Sequence, residues 1–474
     1  MKQLLGVLLM VNFFSAFGQR VPAINPIPSG PQLAWHDMEY YWFVHFGPNT
    51  FTDKEWGHGD ELEDIFNPSQ LDCRQWARTA KAAGAKGIII TAKHHDGFCL
   101  WPSKFSTHTV KESKWKNGKG DVVKELSLAC KEYGLKFGVY LSPWDRNHPK
   151  YGTPEYNQVF VNMMTEIFTH YGPIWEFWWD GANGEGPNGK KQDYDWTLFR
   201  NTIKKLSPNT VVFSDVGPQI RWVGNENGIA GTTNWNLLNV KGFTAGAGAP
   251  VTDTLNSGNM FGENWIPAEC DVSIRPGWFY HKKEDEKVKT PEALFKLYLK
   301  SVGRGSTLLL NVPPDTRGLI NAHDSAALMG FRKLREKSFS HNLLAKPTVV
   351  IRNSSTGRYT VRLTDGKQTT YEVLGIASGS SIAIQLKVAT AINMIVLREP
   401  IQLGQRIATF RVLLQDATGA TIKEIAGTTV GRKRILSFPS VMVTTIQIIA
   451  DSAKATPLLS EVAAYHIDED LIEQ

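Results

Sequence analysis

Cysteine is scarce in this sequence, and its four copies have no regular spacing. Cys73, Cys99, Cys130 and Cys270 form no CxxC or CxxH pair, so a zinc site built on cysteine is not expected. A chain of 474 residues can bury a core large enough to need no disulfides. We therefore expect four buried free thiols, with a disulfide as the alternative because export would permit one.

Long apolar runs, blocks of like charge, internal repeats and low-complexity tracts are also missing. Beyond the first 20 residues, no segment is apolar over the length of a membrane-spanning helix. The net charge of +6 is spread along the chain and basic pairs such as Lys190-Lys191 are short, which argues against nucleic-acid binding. With 21% charged and 42% hydrophobic residues, the composition is that of a globular protein without membrane insertion. It leaves the oligomeric state open.

The first 18 residues have the three parts of a secretory signal peptide. Lys2 gives a positive start, Leu4 to Phe14 form an apolar centre, and residues 15–18 form a small-residue cleavage region. The apolar centre is too short to span a bilayer comfortably. We therefore expect residues 1–18 to be removed and the protein to be exported, either to a periplasm or out of the cell.

Tryptophan is abundant, with 15 copies, but none follows residue 278. Up to about residue 345, short apolar strands alternate with amphipathic helices. Examples are a strand at 86–92, a helix at 121–133 that Gly134 ends, and a helix at 156–171. This alternation predicts an α/β fold with parallel strands and crossover helices. Polar and aromatic side chains at the strand ends favour a (β/α)8-like (TIM-type) barrel over a doubly wound sheet.

The pattern changes near residue 346 to short alternating runs of Val, Ile and Thr, separated by Gly, Asn and Asp. Runs at 358–363, 382–386 and 443–448 are examples, and they predict an antiparallel β-sandwich. The predicted organisation is therefore a signal peptide at 1–18, a barrel domain at 19–345 and a C-terminal β-sandwich domain at 346–474.

One apolar stretch, Ile174 to Ala182, stops abruptly at a carboxylate and a glycine. Its aromatic residues indicate a buried strand, after which Asp180 begins a loop. The carboxyl end of a barrel strand is where catalytic groups lie, so Asp180 is a candidate catalytic carboxylate. An aspartate that only caps the following loop is the structural alternative.

Other side chains near predicted strand ends could join Asp180 at the barrel mouth. They are His45, Glu55, Trp56, His94, His95 and Tyr140. Histidine and glutamate can pair with ring hydroxyls and tryptophan offers an apolar face, which are the groups that a sugar pocket needs. For each single histidine, the alternative is a buried, hydrogen-bonded core residue.

The neighbouring residues His94, His95 and Asp96 also suggest a metal site. Adjacent residues on one strand point to opposite faces, so chelation by both histidines would need a bend. A metal-dependent hydrolase that uses these three residues is therefore kept as an alternative, although we expect no metal and no other cofactor.

Hydrolysis of a glycoside usually needs a second carboxyl group, which protonates the leaving oxygen and later activates water. The candidates are Glu185, Asp215, Glu226, Glu263 and Glu269. Glu226 lies in a predicted loop, Arg221 to Gly228, that combines glycine, asparagine and tryptophan. Such a loop can approach a ligand, and an apolar wall raises a carboxyl pKa. The pattern alone favours Glu226 only modestly over Glu263 and Glu269, and a turn glutamate in solvent is the alternative.

Five motifs together resemble the α-L-fucosidases of glycoside hydrolase family 29. They are His45-Phe46-Gly47, Glu55-Trp56, Lys93-His94-His95-Asp96-Gly97-Phe98, Trp178-Trp179-Asp180-Gly181 and Leu310-Asn311-Val312-Pro313-Pro314. The resemblance spans roughly residues 33 to 340. The KHHDGF and WWDG elements in this order make it specific.

The resemblance implies a retaining exo-α-L-fucosidase that works through a covalent fucosyl-enzyme, with Asp180 as nucleophile. The fucose-binding positions that it implies are His45, Glu55, Trp56, His94, His95 and Tyr140. The segment Arg221 to Gly228 resembles the branch selective for α-1,3 and α-1,4 linkages, in which the position of Glu226 serves as acid/base. The expected substrates are then Lewis-type branched, fucosylated oligosaccharides. A non-catalytic glycan-binding protein is a further alternative, against which the carboxylate pair argues.

Overall fold

The structure is a computed structural model that describes residues 21–244, 248–345, 349–354, 358–360, 362–375 and 381–472. The expected signal peptide at 1–18 lies outside these residues, and so does residue 346, where the sandwich domain is expected to begin. None of the helices in the described ranges is both long and apolar enough to cross a membrane. The four cysteines are buried and unpaired, as expected.

Eight parallel strands close into a barrel. In chain order, the first ten strands are β1 (Tyr40–Val44), β2 (Gly87–Lys93), β3 (Lys136–Leu141), β4 (Glu176–Trp178), β5 (Val211–Ser214), β6 (Ile220–Trp222), β7 (Leu237–Leu238), β8 (Asn264–Trp265), β9 (Ala268–Ser273) and β10 (Thr307–Asn311). β7 and β8 form a separate antiparallel ribbon, and the other eight pair in the order β1-β10-β9-β6-β5-β4-β3-β2. β1 also pairs with β2, which completes the ring. The predicted barrel is confirmed.

The helices of the described residues lie mostly between these strands. They are α1 (Gly30–His36), α2 (Pro48–Thr52), α3 (Cys73–Ala82), α4 (Val122–Tyr133), α5 (Glu155–His170), α6 (Trp196–Leu206), α7 (Thr252–Ser257), α8 (Pro291–Lys300) and α9 (Ala322–Phe339). The predicted ends of α4 are observed. Asp121 caps its first turn by accepting from the Lys124 amide, and Gly134 ends it in the left-handed conformation with φ of 65°.

Alternation along the barrel strands decides which side chains reach the site. On β1, Tyr41 and Phe43 belong to the cluster that fills the barrel interior, and on β4 so does Trp178. Successive residues of a strand point to opposite faces. Two residues beyond Phe43 and Trp178, the same parity therefore directs His45 and Asp180 inward at the carboxyl end of the barrel.

Two barrel strands were not apparent from the sequence. β6 occupies Ile220–Trp222 and overlaps the start of the predicted loop Arg221 to Gly228, so the loop that carries Glu226 begins only at Val223. β9 contains Glu269 and Asp271, which are both buried. A strand with a carboxyl group at every second position does not have the apolar pattern of a buried strand, which explains why it was missed.

The rest of the chain forms antiparallel sheets. Its strands are β11 (Val349–Asn353), β12 (Arg358–Thr360), β13 (Glu372–Val373), β14 (Ile382–Arg398), β15 (Ile407–Gln415), β16 (Thr421–Thr428), β17 (Arg434–Ala453), β18 (Leu458–Leu459) and β19 (Glu461–Tyr465). The main sheet has the order β12-β11-β14-β17-β15-β16, with β19 also on β14, and β13 pairs with β18. Register shifts interrupt the pairing of the long strands β14 and β17, and such irregularities bend strands. The predicted C-terminal β-sandwich is confirmed.

Candidate active site

A pocket of about 190 Å³ opens at the carboxyl ends of the barrel strands. It is smaller than the roughly 300–1,000 Å³ of sites for drug-sized ligands, and it suits a single sugar ring. Its lining residues are Phe43, His45, Glu55, Trp56, His94, His95, Tyr140, Trp178, Asp180, Ala182, Glu226, Asp271 and Trp278. Both candidate catalytic carboxyl groups and all six candidate binding residues are in this set, and all of the set comes from the barrel part of the chain.

Asp180 follows the end of β4, as predicted, and lies two residues beyond Trp178 because the strand covers only Glu176–Trp178. The Tyr140 hydroxyl donates to its Oδ2 at 3.0 Å, and the Ala182 amide donates to its Oδ1 at 2.7 Å. The Nε2 atom of His95 is 3.8 Å from Oδ2. The two hydrogen bonds fix the carboxylate while 26% of its side chain stays exposed, so a ligand can reach it.

Glu226 lies at the exposed rim of the same pocket. The indole Nε1 of Trp278 donates to its Oε2 at 3.2 Å. The surrounding protein desolvates this carboxyl group and raises its pKa, and the charges of Asp180 and Glu55 raise it further, while the hydrogen bond from Trp278 acts in the opposite direction. A raised pKa keeps a carboxyl group protonated to higher pH, as a general acid requires.

The competing candidates for the second carboxyl group lie elsewhere. Glu185 and Glu263 are exposed and do not line the pocket. Glu269 is fully buried inside the barrel, where the Tyr41 hydroxyl and the Trp178 indole donate to it. Asp215 is also absent from the lining. Of the sequence candidates, the described structure therefore brings only Glu226 into the pocket with Asp180.

The pocket histidines are neutral near pH 7. Burial lowers the pKa of His45 to about 3, that of His95 to about 4, and that of His94 well below its ordinary value. Neutral imidazoles offer one donor and one acceptor each. They can therefore pair with sugar hydroxyls without adding positive charge next to Asp180.

Hydrogen bonds made by the neighbouring residues Asn311 and Ser142 determine which ring nitrogen carries the proton in His45 and in His95. The Asn311 amide group donates to the Trp278 carbonyl at 2.7 Å, so its Oδ1 faces His45 Nδ1 at 2.9 Å. Nδ1 of His45 must then carry the proton, and Nε2 is left as an acceptor. Ser142 donates to the Trp144 carbonyl at 2.9 Å and therefore accepts from His95 Nδ1 at 2.8 Å. The free Nε2 of His95 is likewise an acceptor.

The histidine pair does not behave as two residues of a regular strand. The pairing of β2 with β3 shifts between Thr91 and Lys93, and His94 and His95 follow the end of β2. Both side chains consequently line the pocket, with ring centroids 4.2 Å apart. The chain therefore has, at this point, the bend that chelation by both histidines would need.

Even with this bend, His94, His95 and Asp96 do not come together as the suggested metal site. Asp96 is buried outside the pocket lining, and its Oδ1 accepts from the Phe98 amide at 2.7 Å. No group of three or more His, Cys, Asp or Glu side chains in the described ranges is arranged to hold a metal ion.

Five of the thirteen pocket residues were not among the candidates: Trp178 and Ala182, which flank Asp180, and three residues from other parts of the chain. Phe43 forms part of the pocket wall, Trp278 holds Glu226, and Asp271 is a buried carboxyl group on β9. Trp222 donates to Asp271 at 3.0 Å. Burial raises the pKa of Asp271 well above its ordinary value, and the charge of Glu226 adds to the rise. The alternation of side chains along β1 could have indicated that Phe43 faces the pocket, and that along β9 could have indicated Asp271 if the strand had been recognised. Trp278 lies on a loop, where no such alternation applies.

Glu55 and Trp56 form the outer wall of the pocket. Both oxygens of Glu55 accept hydrogen bonds, since the Trp278 amide donates to Oε2 at 2.8 Å and the Phe279 amide donates to Oε1 at 3.2 Å. Trp56 is 55% exposed, and its ring lies edge-on to His95 at 5.6 Å. An exposed indole at the rim of a pocket is a stacking surface for a sugar.

A closed barrel with fixed carboxyl groups, neutral histidines and aromatic walls around a one-ring pocket defines a glycoside hydrolase. A family model described as alpha-L-fucosidase matches residues 29–333. The chain belongs to the α-L-fucosidase family, glycoside hydrolase family 29, which confirms the predicted enzyme class. Its substrates are accordingly fucosylated compounds.

Relatives match over almost the whole chain. "Alpha-L-fucosidase 1" of Arabidopsis thaliana is 42% identical over 450 residues, which cover 93% of this chain and 88% of the relative. A glycoside hydrolase 29 family member from an unknown rumen bacterium is 40% identical with a TM-score of 0.83, over 95% of this chain and 78% of that one. A Ruminococcus gnavus GH29 fucosidase in complex with fucose is 30% identical with a TM-score of 0.86, over 96% and 98%. These relatives favour neither the metal-dependent hydrolase nor the non-catalytic alternative.

Proposed function

We propose that this chain is a retaining exo-α-L-fucosidase that removes α-1,3- and α-1,4-linked fucose from branched, Lewis-type glycans. Asp180 is the nucleophile and Glu226 the acid/base. The proposal rests on one observation: two carboxyl groups line the same pocket, and their surroundings differ. Asp180 is fixed by Tyr140 and Ala182, whereas Glu226 has a raised pKa and lies at the rim.

In the first step, an oxygen of Asp180 attacks the anomeric carbon of fucose. The bond from that carbon to the glycosidic oxygen breaks, and its electron pair goes to the departing oxygen, which receives the proton of Glu226. Fucose is then held by an ester bond to Asp180, and Glu226 is ionised. The neutral histidines support this step, because no cation at their positions opposes the positive charge that develops on the sugar ring.

In the second step, Glu226 takes a proton from water and the water oxygen bonds to the anomeric carbon. The ester bond breaks, its electron pair returns to Asp180, and fucose leaves with its original configuration. Two displacements at one carbon require carboxyl groups about 5–5.5 Å apart, and we expect this separation between Asp180 and Glu226 in the enzyme with bound substrate.

The binding roles follow from the hydrogen-bonding capacities in the pocket. His45 and His95 offer acceptor Nε2 atoms, and His94 offers a further neutral ring. The remaining binding residues are Glu55, Trp56 and Tyr140. We assign the 6-methyl group of fucose to an aromatic wall that includes Trp56 or Trp178. Hydrolysis of L-galactosides at the same rate as fucosides would contradict a close-fitting methyl site.

The linkage preference rests on the loop of Glu226. The segment from Arg221 to Gly228 resembles that of the α-1,3/α-1,4-selective branch. The exposed position of Glu226 supports a leaving group that extends out of the pocket rather than into it. A branched trisaccharide could present its second sugar on this side.

The test measures release of fucose from a Lewis-type trisaccharide, an α-1,2-linked fucoside and an aryl α-L-fucoside. We expect the branched trisaccharide to be preferred, with activity lost on it in both Asp180→Asn and Glu226→Gln. Full activity of Glu226→Gln on the trisaccharide would place the acid/base elsewhere. Preference for the α-1,2 linkage would overturn the selectivity.

We also propose that residues 1–18 direct export, so that the enzyme meets its glycans in the periplasm or outside the cell. The protein recovered from that fraction should then have an amino terminus close to Gln19. Recovery of the full-length chain from the cytoplasm would contradict export.

A further inference from the structure

Two loops form one side of the pocket, and each supplies residues to it. Residues 53–56 follow helix α2 and contribute Glu55 and Trp56. Residues 277–281 follow β9 and contribute Trp278, whose indole donates to Glu226. The relative position of these loops therefore sets the position of the group that holds Glu226.

His281 connects the two loops through both of its ring nitrogens. Nε2 lies 2.6 Å from Oε1 of Glu55, and Nδ1 lies 2.5 Å from Oδ1 of Asp53. The His281 side chain is only 5% exposed, whereas that of Asp53 is 62% exposed and outside the pocket lining. The imidazole is thus enclosed between two carboxylates of the opposite loop.

This geometry needs a doubly protonated ring. Carboxylates only accept hydrogen bonds, so both nitrogens of His281 must donate, and a neutral ring could satisfy only one side. The charged groups around the ring are Asp53, Glu55, Lys283 and Glu284. Burial lowers the pKa of His281, but the hydrogen bonds and charges of Asp53 and Glu55 outweigh burial and raise it.

The contacts continue from His281 to Glu226. The carboxylate of Glu55, held by His281, accepts from the backbone amide of Trp278 at 2.8 Å, and the indole of Trp278 donates to Glu226 at 3.2 Å. The loops approach closely at Gly277, where an added Cβ would lie 2.6 Å from Oε1 of Glu55 and 2.8 Å from Cδ2 of His281. The junction therefore tolerates little displacement.

We propose that His281 is a positioning residue: its imidazolium joins Asp53 to Glu55, and through Glu55 and Trp278 it holds Glu226 where the leaving oxygen is protonated. This inference rests on the proposed acid/base role of Glu226. His281 itself does not line the pocket, so its effect on turnover passes entirely through these neighbours.

The inference has a definite pH dependence. Because the pKa of His281 is raised in the folded enzyme, the double contact is present at pH values below that pKa. It is lost as the pH rises through it. Asp53→Asn removes one of the two carboxylates that raise the pKa of His281, so it should lower that pKa, which NMR titration of the His281 ring measures.

The first experiment compares His281→Phe and His281→Gln with wild type on two substrates. One is an aryl fucoside whose leaving group departs without protonation, and the other is a branched glycan that needs the acid. We expect kcat/KM on the glycan to fall by roughly 10- to 100-fold in His281→Phe, because misplacing a reacting group by about 1 Å costs on the order of 100-fold. The aryl fucoside should lose much less. His281→Gln, which keeps a donor for Glu55, should recover part of the loss.

The exposed residue His341 provides the matched control, because His341→Gln changes the same residue type far from the pocket lining. Equal losses on both substrates in His281→Phe would indicate that His281 supports only the fold or the fucose contact of Glu55 and would overturn the inference, as would an unchanged pKa of His281 in Asp53→Asn. Glu226→Gln is measured alongside. If it shows no selective loss on the glycan, the acid/base assignment fails as well. If it does and the His281 variants do not, only the inference fails.

Discussion

Strand β4 directs two carboxyl groups into the barrel, and their surroundings differ completely. Glu176 and Asp180 are four residues apart and lie on opposite sides of Trp178, which faces the same interior. Glu176 is fully buried, whereas Asp180 keeps 26% of its side chain exposed. The ring of Trp178, stacked on Phe213 with centroids 3.8 Å apart, separates the two levels.

The lower level is a closed polar cluster. Glu176 neighbours Glu269 of β9, and the indoles of Trp35 and Trp178 donate to one carboxyl group each, at 3.1 and 2.8 Å. The Tyr41 hydroxyl also donates to Glu269. Burial raises the pKa of both glutamates, and their proximity raises that of Glu176 further.

The comparison shows that an inward-facing carboxyl group in this barrel is suited to catalysis only where a ligand can reach it. Glu176 and Glu269 are enclosed by protein, where Glu176 accepts from Trp35 and Glu269 accepts from Tyr41 and Trp178. Asp180 and Glu226 face a space that a ligand can enter. Glu176 and Asp180 share the inward parity of β4, so it is their level along the barrel that separates the enclosed carboxyl group from the one that a ligand can reach.

The largest expected effect is at the upper level. Asp180→Asn removes the attacking oxygen but keeps the acceptor for Tyr140, so turnover should fall by at least about 1,000-fold while the fold is retained. Steady-state assays with an aryl fucoside and a thermal unfolding curve measure both. The exposed Asp253 of helix α7 offers a matched control, Asp253→Asn. Residual turnover near the wild-type level would show that Asp180 is not the nucleophile.

A second substitution at the upper level separates acid catalysis from nucleophilic attack. Glu226→Gln should lower kcat/KM on a branched glycan by about 100- to 10,000-fold, the usual contribution of general acid–base catalysis. The first step on an activated aryl fucoside, followed as a burst of released aryl group, should slow far less. Glu263→Gln, at an exposed site outside the pocket, is the control, and a comparable loss in that variant would argue against the assignment of Glu226.

At the lower level, a substitution should affect stability more than activity. Glu269→Leu leaves the Trp178 indole and the Tyr41 hydroxyl with a lost acceptor, at a cost of about 1–3 kcal/mol for each buried donor. Urea unfolding should show this loss relative to wild type and to the exposed control Glu263→Leu. Activity per folded molecule should change far less than in Asp180→Asn. If stability stays at the wild-type value while turnover disappears, the separation of levels is wrong.

The smallest effect is a pH dependence of stability from the same pair. The pKa values of Glu176 and Glu269 are raised in the folded state, so the unfolded chain binds fewer protons above its own carboxyl pKa of about 4.3. The stability from the protonated pair is complete below that pH and is lost as the pH rises through the folded-state values. The slope is at most about 1.4 kcal/mol per pH unit for each proton.

The non-ionising variant Glu269→Gln tests this dependence. We expect the free energy of unfolding of wild type to fall more steeply with pH, above the unfolded-state carboxyl pKa of about 4.3, than that of the variant. Parallel curves for the two proteins would mean that the pair does not titrate in this range.

The same two levels show what sequence can and cannot predict. Asp180 was found because an apolar strand stops at a carboxylate, and His45 because it follows a strand of the same pattern. Glu176 was concealed inside an apolar run, and β9 was missed because Glu269 and Asp271 occupy its inward positions. Pattern recognition assumes that inward positions are apolar, and this barrel breaks that assumption at Glu176, Glu269 and Asp271.

Two residues of the loop after β9, Trp278 and His281, were not predicted for a different reason. Trp278 and His281 contact Glu226 and Glu55 across sequence separations of 52 and 226 residues. Nothing in the local sequence indicates which loops meet at the mouth of a barrel, because their conformations depend on contacts with one another. The fold and most of the pocket could therefore be predicted, but the network that holds the second carboxyl group could not.

The most direct test of the central claim is to trap the intermediate. Glu226→Gln should form the fucosyl-enzyme from an activated aryl fucoside but hydrolyse it slowly, because water activation lacks its base. Intact-mass measurement followed by peptide mapping should find one fucosyl group on the peptide that contains Asp180. A fucosyl group on another carboxylate such as Glu55, or release of inverted fucose by the wild type without any adduct, would contradict the account.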